Sequence, residues 1–395
     1  MDKNKIIYFD NAATTPMSNE VYREMIDAYG KLYGNPSSIY GAGREADSAL
    51  RKAREKVAKA IGATPSEIFF TSGGSESNNW AIKGIARANR DKGNHIITSV
   101  IEHPSVLESC KALEREGFKV TYLPVDEFGV IKYSELVKAI GPNTILISIM
   151  TANNEVGTVQ PIKAIAELAK ANNVIFHTDA VQAIGHLNLN VKDIGIGALS
   201  ISAHKINGPK GVGALYIKKG TKIEKFIDGG EQERDMRAGT ENVPAIVGFG
   251  KAIEDATANI EENTKYLKSI RRYFLKTISD AIHNISLNGH NTQRLQNIAS
   301  ISFEGAEGEA VLMMLDREGI YVSTGSACAS GSNKPSYVLM AMGKDADVAS
   351  STIRFSFSRN TTKEEIDYAV EEIRKAVKKI RSISAVRIYK NKVEL

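Results

Sequence analysis

The chain has 395 residues, 42% hydrophobic and 25% charged, with a formal net charge of +5. A single core stops growing at about 250–300 residues, so two domains are expected, and the composition excludes disordered and fibrous classes. Between Val370 and Leu395 lie eight Lys or Arg and three Glu, so this end alone accounts for the net charge. Such a tail reads as a solvated helix face or a docking surface for an acidic partner, since nucleic-acid binding would want a broader basic patch. Two cysteines, Cys110 and Cys328, exclude a disulfide scaffold and fit a reducing, cytoplasmic setting. The start lacks the apolar stretch of a signal peptide, and no run reaches the roughly 18 apolar residues of a membrane span.

In chain order, a helical pattern over Glu45 to Ile61 precedes alternating short β-branched runs and helical stretches. The strands predicted are Ile68 to Thr71, Ile96 to Ile101, Thr144 to Met150, Val174 to His177, Ala198 to Ile201 and Gly213 to Ile217. Helices are expected over Pro104 to Glu116 and Lys163 to Ala171. This alternation predicts an α/β fold, a mainly parallel sheet with helices on both faces. One long helix from about Pro244 to Ile282 reads as a domain connector. Beyond it, strands at Ala299 to Phe303 and Thr352 to Phe357 and helices at Gly308 to Glu318 and Lys363 to Arg381 make a smaller α+β domain. No internal repeat or low-complexity segment interrupts the pattern.

Ligands of open parallel sheets bind outside the carboxyl ends of the strands, so the residues just after each apolar run carry the functional argument. Thr71-Ser72-Gly73-Gly74-Ser75-Glu76 opens a helix with paired glycines and a hydroxyl, a cradle for an anion such as phosphate, although an ordinary loop and cap has the same composition. Glu102-His103-Pro104 places a histidine at a helix start. Asn153-Asn154-Glu155 is a turn able to hold a carboxylate or to serve only the backbone. Thr178-Asp179-Ala180-Val181-Gln182 places an aspartate after a strand, where a helix cap is the bland alternative. Ser202-Ala203-His204-Lys205 ends a buried run on a lysine, which must be paired, hydrated or deprotonated and can then act as a nucleophile. Gly208-Pro209-Lys210-Gly211 reads as a tight turn, with Lys210 a turn residue.

A phosphate cradle, a flat base, a carboxylate and a lysine at one sheet edge are the four groups that pyridoxal phosphate needs. The carboxylate keeps the pyridine nitrogen protonated, and the ring then withdraws electrons from the substrate carbon. The seven histidines show no paired spacing with cysteine, and His177-Thr178-Asp179 alone completes no zinc site.

Cys110 shares a helical stripe with Val106 and Leu113 and reads as packing. Cys328 stands in Ser323-Thr324-Gly325-Ser326-Ala327-Cys328-Ala329-Ser330-Gly331, a run too poor in apolar residues to build a core. An exposed thiol is a liability unless used, so Cys328 is read as a nucleophile. A thiol together with a lysine-bound pyridoxal points to chemistry on a sulfur-containing amino acid.

The residues FDNAATTP (9–16), YGNPSS (33–38), TSGGSESNN (71–79), EHPSV (102–106), NNEVGTVQP (153–161), HTDAVQ (177–182), SAHKINGPKG (202–211), RAGTEN (237–242) and STGSACASG (323–331) together resemble the pyridoxal-phosphate cysteine desulfurases of the NifS/IscS type, in the class V aminotransferase family, and the long run around Cys328 resembles group I, the first of the two desulfurase groups. The resemblance runs from about residue 6 to 360. It implies the type I PLP-dependent transferase fold, with a large PLP-binding domain over 16–255 and a small domain from 1–15 and 256–395 carrying the catalytic-cysteine loop at about 323–335. It also implies a homodimer, L-cysteine as substrate, and a sulfur-acceptor protein such as an iron–sulfur scaffold or sulfur carrier. Carried over by motif, Lys205 would form the imine, Asp179 pair with the ring nitrogen, His103 stack on the ring and Gln182 bond its oxygen. Gly74, Ser75, Ser202 and His204 would hold the phosphate, with Thr240 supplied by the other subunit. Asn154 and Arg354 would orient the substrate carboxylate, Arg354 through a bidentate pair. Lys205 would then move the Cα proton and Cys328 take the sulfur as a persulfide. Ser75 stands where many relatives have threonine, Asn207 where an aromatic or histidine is common, and the end after about Ser384 does not resemble the scaffold-binding tail of the IscS branch. A selenocysteine lyase or another class V enzyme is the alternative among enzymes; a non-catalytic sulfur-assembly scaffold is the alternative outside them.

Overall fold

The computed structural model describes residues 6–325, 335–383 and 393–394. Cys328 and most of the basic tail beyond Ile383 lie outside the described residues. A seven-stranded sheet carries the spatial order Ile68–Thr71, Gly213–Ile217, Ala198–Ser202, Ile175–Asp179, Thr144–Ser148, His95–Ser99 and Lys119–Leu123. Gly213–Ile217 runs antiparallel to both neighbours, and the remaining pairs are parallel. Strands buried along their whole length, such as Ala198–Ser202 and Thr144–Ser148, are the ones that read as continuous apolar runs. The strand that sequence patterning does not reveal is Lys119–Leu123, an edge strand with an exposed Lys119 and half-buried Val120, Thr121 and Tyr122.

Successive side chains of the sheet divide between two cores. Phe70, Ile97, Ile147 and Tyr216 join one cluster; Phe69, Ile96, Leu146 and Leu215 join the cluster on the opposite face. Cys110 sits fully buried in the second cluster with Val106 and Leu113, and burial pushes its thiol up to about 12, so it is packing material.

A third core is built from Ile7 and Phe9 together with Phe274, Ile301, Phe303, Phe355 and Ile373. It lies around a sheet ordered Thr352–Ser356, Ile298–Phe303, Ile285–Asn288 and Val393–Glu394, flanked by the helices Ile260–Ala281 and Lys363–Ile383. The single connector helix expected over 244–282 is instead two helices, Val243–Ala258 and Ile260–Ala281, which meet at Asn259 with φ −136° and ψ 45°. The break lets Ile246, Phe249 and Ile253 face the first core while Leu267, Ile270, Phe274 and Ile278 face the third. Among the described residues no helix is long and apolar enough to cross a membrane, and no group of three or more His, Cys, Asp or Glu is placed to hold a metal ion.

Strand Ile68–Thr71, which leads into the glycine turn, is an edge strand whose free backbone groups are covered by side chains. Arg54 and Arg234 both donate to the Ile68 carbonyl, at 2.8 and 2.7 Å, and Glu233 accepts from the Phe70 amide at 2.9 Å. Glu233 also forms a forked pair with Arg54 at 2.6 and 2.7 Å, and its side chain is 2% exposed. Reaching this position puts Glu233, Arg234 and Asp235 at φ of 47°, 59° and 63°, a left-handed run that the pairing holds in place. Removing Glu233 strands a buried guanidinium, so Glu233→Ala is expected to lower stability by about 3–5 kcal/mol. Urea unfolding checks this; a midpoint equal to that of the unmodified chain would rule it out.

Candidate active site

A cavity of about 490 Å³ opens at the carboxyl ends of the parallel strands, within the usual range of about 300–1,000 Å³ for small-molecule sites. At one end lies the glycine turn. Gly73 has φ +151°, and a Cβ there would project to 3.8 Å from Ser202 Oγ; a Cβ on Gly74 would meet Val181 Cγ2 at 2.7 Å. Side chains at these positions would fill the cradle or collide with its floor, so both glycines answer to geometry. Ser75, Ser202 and His204 line the same cavity. The His204 Nδ1 is 3.1 Å from Thr14 Oγ1, and burial, reinforced by the charges of Lys205 and Lys210, pushes its imidazole down to about 4. A neutral ring at neutral pH can present a donor without adding charge. Lys210, expected to be a turn residue only, also lines the cavity.

Asp179 ends its strand and is 7% exposed. Its carboxylate accepts from Asn78 Nδ2 at 2.6 Å and from the Val181 amide at 2.9 Å, and the residues that follow form turns, so it caps no helix. His103 does cap one: it precedes the helix Pro104–Arg115, and its Nδ1 accepts from the Ser105 amide at 3.2 Å. That bond assigns the ring proton to Nε2 and fixes the imidazole plane. Burial lowers its pKa, Asp179 opposes the shift, and Lys205 adds to it. Asn78 ties the two residues together, since its Nδ2 also reaches Ser105 Oγ at 2.9 Å.

Lys205 closes a 3₁₀ turn, Ala203–Lys205, directly after the strand Ala198–Ser202. Its Nζ donates to the carbonyls of Ala12 and Ala13, each at 2.6 Å, and Gln182 Nε2 donates to the Ala12 carbonyl at 2.9 Å. At the far end Arg354, with a side chain 3% exposed, donates from Nη2 to Asp10 Oδ1 at 2.8 Å and from Nη1 to the Asn154 carbonyl at 2.9 Å. Its Nε and the Asn154 Oδ1 have no hydrogen-bond partner among the described residues. The guanidinium thus keeps donors available after two are used by the protein. Of the residues picked from sequence, Thr240 alone among those described does not line this cavity; it lies in an adjacent recess with Ser72, Gly211 and Arg237.

Several functional groups escaped the sequence reading. The Ala12 and Ala13 carbonyls have no side-chain signature. Asn78 and Asp10 stand inside quoted motifs, yet nothing in their type distinguishes them from surface amides and carboxylates. Glu102 is fully buried behind His103, accepting from Ser99 Oγ at 2.6 Å and from the Met150 amide at 3.0 Å with both oxygens. Burial pushes its carboxyl up to about 8, the hydrogen bonds from Ser99 and Met150 oppose this, and the Asp179 charge adds to it.

Residues 7–369 match the model of the aminotransferase class-V family. The cysteine desulfurase IscS of Methanosarcina thermophila is 53% identical over 382 residues, covering 97% of this chain and 94% of that protein. The human cysteine desulfurase is 45% identical over 381 residues, covering 96% of this chain and 83% of its own length. Among solved structures, a NifS-like protein superposes with a TM-score of 0.90 at 42% identity, covering 95% of this chain and all of that one (100%). SspA in complex with cysteine superposes with a TM-score of 0.80 at 39% identity, covering 90% of this chain and 100% of that one. The chain belongs to the class-V aminotransferases, with their PLP-dependent type I fold, and within them to the cysteine desulfurases of the NifS/IscS type.

Glu102 gives the site a pH signature. Its folded pKa lies above the ordinary value of 4.5, so between that value and about 8 the native state holds a proton that the unfolded chain has released. Its contribution to stability is full below the unfolded value and is lost as pH rises through the folded one. Glu102→Gln, which cannot ionise, is expected to flatten the decline in urea midpoint between those limits. Equal slopes for the two proteins would contradict the assignment.

Proposed function

We propose that this chain removes sulfur from L-cysteine with pyridoxal phosphate as its cofactor, releasing L-alanine and leaving a persulfide on Cys328. The observation that carries this reading is the convergence of Lys205, Asp179, His103 and Arg354 on one cavity. The cavity suits the cofactor by its own geometry. Gly73 and Gly74 leave a space that a Cβ would occupy, Asp179 stands buried opposite that cradle's helix, and Asn78 and Asn154 each keep a buried acceptor unpartnered among the described residues. Lys205 would hold the cofactor covalently, Gly74, Ser75, Ser202 and His204 its phosphate, Asp179 its ring nitrogen, Gln182 its ring oxygen and His103 its ring face. When bound, pyridoxal phosphate supplies an electron-withdrawing ring that accepts charge from the substrate Cα.

The chain's own residues do the rest. Arg354 and Asn154 bind the substrate carboxylate and so orient the amino acid. Lys205 Nζ takes the Cα proton and later returns one. The Cys328 thiolate attacks the substrate sulfur, so that an S–S bond forms as the C–S bond breaks. The carbon side ends as alanine after protonation, and the cysteine side ends as Cys328–S–SH, which balances without any outside oxidant. The names of the relatives and the neighbour holding cysteine support the substrate.

The same reading includes a division into a large cofactor domain over 16–255 and a small domain from 1–15 and 256–395. It includes a homodimer in which Thr240 of a second copy completes the phosphate end. A cytoplasmic location and an acceptor protein that takes the sulfur toward iron–sulfur clusters or sulfur-containing cofactors complete it.

Incubation with L-cysteine is expected to yield L-alanine and to add one sulfur atom to the peptide bearing Cys328, as read by mass analysis. Cys328→Ala is expected to abolish alanine release while retaining bound cofactor; release at the unmodified rate would overturn the persulfide mechanism. Arg354→Lys, which loses the planar fork, should raise KM for cysteine by about 10- to 100-fold.

A further inference from the structure

Segment 210–213 runs along the glycine cradle. Gly213 pairs across the sheet with Ser202 on one side and Thr71 on the other, and a Cβ there would stand 2.8 Å from Gly73 Cα. One residue back, the Val212 carbonyl accepts from the Ala203 amide at 3.2 Å, and Gly211 turns the chain with φ +77°. Lys210 therefore lies three residues from the cradle wall, at most about 11 Å along the backbone, and it lines the same cavity as Gly73, Gly74 and Ser75. It is exposed, and its ammonium makes no hydrogen bond or ion pair among the described residues.

A phosphate monoester carries about −1.5 to −2 charge near neutral pH, and the groups assigned to it above, on Gly74, Ser75, Ser202 and His204, are donors without charge. Burial, with the charges of Lys205 and Lys210, holds the His204 ring neutral. Other charges of the lining are already matched: Glu76 by Arg237 at 2.9 and 3.3 Å, and Arg354 by Asp10 at 2.8 Å. In the proposed reading Lys205 gives up its ammonium to hold the cofactor, and Asp179 serves the ring nitrogen. Lys210 is then the cation of the lining left to offset the phosphate. We infer that Lys210 is a further cofactor-binding residue, which recognises the phosphate by charge from the rim of the cradle rather than by a fixed hydrogen bond. The inference rests on the reading that pyridoxal phosphate is the cofactor. Because the ammonium is exposed, its attraction is modest, is screened by salt, and acts during approach as well as after binding.

Affinity rather than turnover tests this, with the full chain freed of cofactor and titrated either with pyridoxal phosphate or with pyridoxal, which lacks the phosphate. At about 0.05 M salt, Lys210→Gln is expected to weaken pyridoxal phosphate binding about 3- to 10-fold, Lys210→Glu about 10- to 100-fold, and Lys210→Arg by no more than about twofold. Pyridoxal should bind all four proteins alike within about twofold, which also shows that the fold is intact. The gap between Lys210→Gln and the unmodified chain should shrink at about 0.5 M salt. A packing role would weaken both ligands together and would not follow the order of charge. Unchanged affinity of Lys210→Gln for pyridoxal phosphate, or an equal loss for pyridoxal, would overturn the inference. Failure of the unmodified chain to bind pyridoxal phosphate at all would instead overturn the reading beneath it, so the two failures are distinguishable.

Discussion

Lys205 stands at the end of a buried strand because the carbonyls of Ala12 and Ala13 turn toward it, each at 2.6 Å from its Nζ. An ammonium taken from water without acceptors costs several kcal/mol, and side chains of the sheet do not supply these two. They come from a turn at residues 11–13, at the end of a segment whose preceding residues Ile7 and Phe9 pack in the third core. Ile7–Tyr8 pairs with Ile320–Tyr321, Asn11 Nδ2 donates to the Ser356 carbonyl at 2.8 Å, and Asp10 receives Arg354. One short segment therefore contacts two charged groups of the site, Lys205 through the Ala12 and Ala13 carbonyls and Arg354 through Asp10. The third core, which holds Ile7 and Phe9, is in this sense part of the active-site framework.

Around that clamp the site is held by buried polar contacts with little freedom. Asn78 joins Asp179 to Ser105, Ser105 joins Asn78 to His103, and Glu102 receives both Ser99 and the Met150 amide. Such a network is costly to leave half satisfied, and once satisfied it keeps donors and acceptors aimed without reorganisation. The rigid strand ends make this possible, because each contributes one short polar turn at a fixed spacing from its neighbours.

Much of this was legible in the sequence. Lys205, Asp179 and His103 follow apolar runs that end where polar residues begin, and that transition marks the carboxyl edge of a parallel sheet whatever the family. Glycine pairs announce a backbone need, and at Gly73 and Gly74 the need is real. What was not legible has physical reasons. Backbone carbonyls such as those of Ala12 and Ala13 have no residue identity to read. A buried carboxyl such as Glu102 or Glu155 looks in sequence like any surface acid, because only the fold determines its burial. The break at Asn259 was hidden because both helices keep apolar periodicity, while the direction of their apolar faces depends on two different cores. Lys119–Leu123 was missed because an edge strand need not be continuously apolar.

The central claim is that the carbonyl-clamped lysine is the residue that holds the cofactor. Borohydride reduction of the protein with added pyridoxal phosphate, followed by mass analysis of its peptides, tests this directly. A pyridoxyl adduct on the peptide carrying Lys205, lost in Lys205→Ala, is the predicted result. An adduct confined to Lys210, which lines the same cavity, or no adduct at all would contradict it.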